Sequence, residues 1–162
     1  MPADVSSTTC SGGKEPYANV SRLDANALEA ALSEAKLEIY QKVGADILLA
    51  ERVRVHMMDS GVRVRVGETC EVIFTTRCQR SDFPSDDGDT LYARVRAVTG
   101  PLAEERGFRE VQAERIEVTD PMDDSRVLDV WHEITWAQEV IDAPTAVQLA
   151  RWALSVEKYV GG

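Results

Sequence analysis

Hydrophobic residues change their spacing several times along the chain, and each change marks a new element. From about Ala25 to Val43, Leu28, Leu32, Ala35, Ile39 and Val43 recur at helical intervals, while Glu29, Ser33, Glu34 and Lys36 fall on the other side. Asp24 is placed to cap this helix, Leu23 to pack on Leu28 as a staple, and Gly44 to end it. From Ile47 the period becomes two. Val53, Val55 and Met57 alternate with Arg52, Arg54 and His56, and after Asp59-Ser60-Gly61 the residues Val62, Val64 and Val66 alternate with Arg63 and Arg65. Two alternating runs around a glycine-containing turn predict a β-hairpin.

A strand over about Thr69–Cys78 follows, with Val72, Phe74, Thr76 and Cys78 on one face. Gln79–Asp89 reads as a loop broken by Pro84 and Gly88, and Leu91, Ala93, Val95 and Ala97 alternate with Tyr92, Arg94 and Arg96 as a further strand. Gly100-Pro101 ends that run, and Leu102–Arg106 reads as a single turn. The stretch from Phe108 to Val118 predicts a strand bulged near Ala113. After the acidic loop Thr119–Ser125, Val127–Val140 forms the last strand, with Leu128, Val130, Ile134 and Trp136 on one face. Pro144 opens a final helix lined by Leu149, Ala153, Val156 and Val160 and stopped by Gly161. The order gives an α+β fold: a twisted antiparallel sheet of about five to six strands packed on an N-terminal and a C-terminal helix. Residues 1–20, rich in Ser, Thr and Gly, read as a flexible polar leader ahead of one domain over 21–162.

Composition narrows the function. Eighteen basic and 28 acidic residues leave a net charge of −10, which argues against a general nucleic-acid binder. No apolar run reaches the length needed to span a bilayer, and the N-terminal residues lack the pattern of a secretory signal, so a cytoplasmic protein is expected. Three cysteines without paired spacing suggest reduced thiols, and no cofactor motif is present: no phosphate loop, nucleophile elbow or dinucleotide fingerprint.

Charge arrangement is the informative feature. Arg52, Arg54, Arg63, Arg65, Arg94 and Arg96 all alternate with core positions and are expected on one polar sheet face, with Glu110, Glu114, Glu117, Asp129 and Glu133 as partners. Trp131 and Trp136 are an odd distance apart, so Trp131 projects on that polar side as a candidate interface anchor. Such a face is either a solvated lattice of weak ion pairs or a surface that meets a protein partner or a second copy. With no catalytic motif, a charge-segregated face and Trp131 on it, a non-catalytic assembly or interaction protein is expected, self-associating as a homo-oligomer or binding a protein partner; the element order is similar to that of small phage-tail and connector proteins that form rings.

The alternative is a small enzyme or binding domain with a pocket between curved sheet and helices. The run Gly88-Asp89-Thr90-Leu91-Tyr92-Ala93-Arg94-Val95 resembles a strand opening of hotdog dehydratases and thioesterases. That resemblance implies an anionic ligand, with His56, His132 and Glu133 as the residues for acid–base work. The alternation turns all three away from the core. For metals, Asp86, Asp87 and Asp89 resemble a calcium loop in composition but not in spacing, and His132-Glu133 lacks the second histidine of a zinc helix.

Overall fold

A computed structural model describes residues 23–161; the leader expected over residues 1–20 lies outside them. The chain runs α1 (Ala25–Glu34), β1 (Ile39–Val43), β2 (Asp46–Val53), β3 (His56–Arg65), β4 (Cys70–Gln79), α2 (Gly88–Glu105), β5 (Arg109–Asp120), β6 (Asp123–Val140) and α3 (Ala143–Ser155). The strands form one six-stranded sheet in the order β1-β2-β3-β4-β6-β5, and every neighbouring pair is antiparallel. The fold is α+β, with the terminal helices on the sheet as the patterning implies and a third helix between them.

One face of the sheet is apolar. Val62, Val64, Val72, Phe74, Cys78, Ile134 and Trp136 are buried there against Leu28 and Leu32 of α1, Leu91 and Val95 of α2, and Ala146, Ala150 and Ala153 of α3. Phe74 lies edge-on to Phe108 and Trp152, with ring centroids 5.0 and 5.7 Å apart. Trp136 is seated by its indole, which donates to the Thr76 hydroxyl across 3.0 Å, so the polar atom of this large side chain is satisfied.

Four boundaries differ from the sequence reading, each for a local reason. The first helix stops at Glu34 rather than Val43. Lys36 adopts φ +68°, and Leu37 N–H donates to Leu32 O while Lys36 N–H donates to Ser33 O. That closing geometry usually takes glycine at the left-handed position, so a lysine hides it. Ile39 and Val43, which fit the helical spacing, lie in edge strand β1 instead.

Asp59-Ser60-Gly61 is not the hairpin turn. The chain reverses at Arg54-Val55, where Arg54 has φ +60°. Asp59–Gly61 lies within β3 beside a register shift in its pairing with β2. There Ser60 donates to Leu49 O and accepts from Val62 N–H. Asp, Ser and Gly serve a bulge by the same local hydrogen bonds that suit them to turns.

Leu91–Ala97 is helical, part of α2, which runs on through Gly100-Pro101. Leu91, Val95, Thr99 and Ala103 make a buried stripe at four-residue spacing, which a short alternating window also satisfies. Asp87 caps the helix by accepting from Thr90 N–H at 2.8 Å. The hotdog-like strand opening over Gly88–Val95 is therefore a helix start.

The last helix ends at Ser155, not Gly161. Val156 is extended, and Lys158 turns back to donate to Ala153 O and Val156 O. Burial lowers the Lys158 ammonium to about 8, against the opposing pull of Glu51 and Glu157. Beyond it, Lys158 O and Val160 N–H bond to Arg77 of β4, filling the place that β3 vacates as it diverges.

Val64 is fully buried in the middle of the sheet. Val64→Asp buries a carboxylate with no partner and is expected to destabilise the fold by more than about 3 kcal/mol. Thermal unfolding of the soluble fraction checks this; a melt like the parent's would contradict the assigned face.

Candidate interaction surface

The sheet face away from the helices carries a charge ladder set by the two-residue period. At the β2–β3 side, Asp46 receives Arg65 at 2.8 Å and Arg63 at 3.2 Å. Across β4 and β6, Arg77 faces Glu133 at 3.0 Å, and both side chains are largely buried, at 20% and 13% exposure. Trp131 covers the Arg77 guanidinium at 4.2 Å and Tyr159 approaches it at 5.2 Å. Burial pushes the Glu133 carboxyl up from its ordinary value and Glu114 adds to this, while Arg77 pulls it down. The charges of this face largely answer one another.

The six arginines expected on one face are distributed over three places. Arg63 and Arg65 are on the ladder. Arg52 makes a two-pronged contact with Glu38 at 3.0 Å, and Arg54 occupies the β2–β3 turn. Arg94 and Arg96 belong to α2: Arg94 bonds Asp86 at 2.6 Å and stacks on Phe83, and Arg96 grips Glu110 at 2.9 and 2.8 Å. The cause is that Leu91–Ala97 is helical, and a helix carries these residues over the opposite face. Trp131 is on the open face as expected and half-buried by Arg77.

His56, His132 and Glu133 do not converge. His56 is exposed at the β2–β3 tip. His132 is 4% exposed and shares the parity of Trp136, so it faces the helices, not solvent as expected. It lies beneath α2, edge-on to Tyr92 at 4.9 Å and opposite Cys78 in the ladder. Glu133 points to the other face. Asp87 is occupied as a helix cap and Asp86 by Arg94. Among the described residues, no group of three or more His, Cys, Asp or Glu is placed to hold a metal ion. A groove of about 520 Å³ opens between the end of α1 and β1, lined by Ser33, Lys36, Leu37, Glu38, Ile39 and Met57, away from His132.

The structure adds a feature that residue types alone do not mark: two projecting hairpins. β3 pairs with β4 only over Val62–Arg65, so the turn end of β2–β3 leaves the sheet as a two-stranded ribbon. β4 ends at Gln79, opposite Trp131, so the rest of β6 runs on with β5 alone to a tip at Pro121-Met122. Because β3 enters the sheet from its turn while β4 leaves toward Gln79, both ribbons project from the same end. The signals for them in the sequence are the 12- and 18-residue lengths of β5 and β6 against 10 for β4, together with the apolar residues in the two turns.

Comparison with protein-family models, curated proteins and solved structures finds no match. No helix among the described residues is long and apolar enough to cross a membrane.

Burial holds His132 below its ordinary value of 6.5, and the nearby charges of Arg115 and Arg80 add to this. The unfolded chain therefore binds a proton there that the folded chain resists, so stability falls as pH drops through about 6.5. His132→Phe is expected to flatten the change in melting temperature between pH 7.5 and 5.5. An unchanged pH slope would remove His132 as its source.

Proposed function

We propose that this chain is a cytoplasmic, non-catalytic assembly protein that associates with further copies of itself, as a structural ring or connector component does. The observation that carries this reading is the concentration of exposed apolar side chains on the two hairpins at one end of the sheet. Val53, Val55, Met57 and Met58 mark the β2–β3 hairpin, and Met122, Val127 and Leu128 the β5–β6 hairpin. Val55 and Met122 are 83% and 92% exposed. Isolated ribbons with apolar tips gain little by themselves, and apolar patches of this kind mark protein contacts.

Charge favours a second copy as the partner. The β2–β3 tip presents Arg54 and the β5–β6 tip Asp123 and Asp124, so one prong of each copy is electrostatically matched to the other prong of a neighbour. Net charge of −10 favours such a protein contact over a nucleic-acid one. Trp131 and Ile116, opposite one another in the ladder at the root of the long hairpin, extend the contact onto the open face.

Light scattering after size exclusion is expected to give a discrete species heavier than the 17.9 kDa chain, and one that persists in high salt because its contacts are largely apolar. Val55→Asp combined with Met122→Asp is expected to lower that mass. Its melting temperature should stay within about 2 °C of the parent, since neither side chain is packed. Trp131→Ala is expected to weaken association more than folding. A parent chain that is monomeric at high micromolar concentration would overturn the reading.

A further inference from the structure

The two outer strands of the sheet, β1 and β5, have no strand beyond them among the described residues. Five antiparallel pairings separate them, so they run in opposite directions. If copies stand side by side in the same orientation, the outer edge of β5 in one meets the outer edge of β1 in the next as an antiparallel pair. An odd number of strands would have forced a parallel join. Neither edge is closed to such pairing by proline, since none occurs in Ile39–Val43 or Arg109–Asp120. Exposed Tyr40 and Val43 lie on β1, and half-buried Ile116 and Val118 on β5.

We infer that the chain joins head to tail, β5 of one copy pairing with β1 of the next to continue the sheet. This rests on the self-association proposed above but uses a different surface, the strand edges rather than the hairpin tips. Side-chain parity restricts the register. Gln41 and Val43 pair with Leu48 and Asp46 and so share the open face, whereas Lys42 shares the helix face with Ile47. On β5, Ile116 and Val118 are on the open face and Glu117 on the helix face. Setting Lys42 beside Glu117 keeps both faces continuous over Gln41–Val43 and Ile116–Val118, between the register shifts at Ile39–Gln41 and Val118–Asp120. It brings Val43 beside Ile116 and Gln41 beside Val118, and joins opposite charges. A slip of two residues one way would set Lys42 against Arg115, a repulsive pair. The present partners of Lys42 and Glu117 are Glu29, which is half-buried, and Arg115, which is exposed; Lys42 and Glu117 are themselves exposed, so the exchange costs little.

The register also has a consistent geometry. Followed across the sheet, Lys42 is level with Gln138, while Glu117 is level with Val130, eight residues along β6. Each copy is therefore offset by about 26 Å along the strands for every six strands, about 29 Å, of width. In a closed ring that tilts the strands by roughly 40° to the axis, within the range that closed β-barrels adopt.

The test uses a Cys10→Ser chain, in which Cys70 and Cys78 are buried, carrying Gln41→Cys, Val118→Cys or both, treated with a short bis-maleimide. The double variant is expected to give a ladder of cross-linked oligomers, the mixed single variants a dimer, and each single variant alone only monomer. Dimers from a single variant would show a two-fold β5–β5 or β1–β1 contact and overturn the head-to-tail join. No cross-linking from an assembly that light scattering shows to be intact would also overturn it, leaving self-association standing. A monomer by light scattering would end both.

Discussion

The β4–β6 ladder is the constraint on which the rest of this molecule depends. It pairs without a register shift from Cys70–Val140 to Gln79–Trp131, so the parity of two strands is locked over the full width of the domain. Even-numbered residues of both strands go under the helices and odd-numbered residues go to the open face. Phe74 and Trp136 meet in that ladder, and around them the three helices find an apolar floor. The same lock puts Arg77 beside Glu133 and carries Trp131 over the guanidinium. Slipping β6 by one residue against β4 would turn Glu133 under the helices, away from Arg77, and expose the indole of Trp136, which is why one register dominates.

Much of the fold was legible because burial imposes a period. Val62, Val64, Val72, Phe74, Ile134 and Trp136 all take the face that their spacing assigns. What escaped was local. A lysine in the left-handed position ended α1 where no glycine advertised it. Asp59-Ser60-Gly61 supplied a bulge with the chemistry of a turn. Leu91–Ala97 satisfied strand and helix periods together, and the correct one is decided only by the floor of β4 and β6 beneath it. The candidate surface suffered from the same ambiguity, since moving Arg94 and Arg96 onto a helix removed them from the face they were expected to share. His132 could have been placed inside by counting from Trp136, an even distance along one strand. The projecting hairpins are set by where β4 and β3 part, a long-range property that no short window contains.

Electrostatics here is mostly short-range accounting between neighbours. Arginines meet carboxylates two by two: Arg65 and Arg63 with Asp46, Arg77 with Glu133, Arg96 with Glu110, Arg52 with Glu38. The exposed ones among these add little to stability. They do fix which side chains remain free to meet another molecule. Arg54 and Asp124, at the tips of opposite prongs, make no side-chain ion pair among the described residues.

Because both ribbons leave the sheet at the same end, the domain has a crown and a base that are chemically unlike. Copies standing side by side in one orientation would preserve that asymmetry and yield a polar object, with a fringe of paired prongs along one rim and the short β1–β2 and β3–β4 connections along the other. Such an object has a direction. A molecule that fits the fringe would not fit the base, so the two rims of such an object would be told apart by chemistry alone.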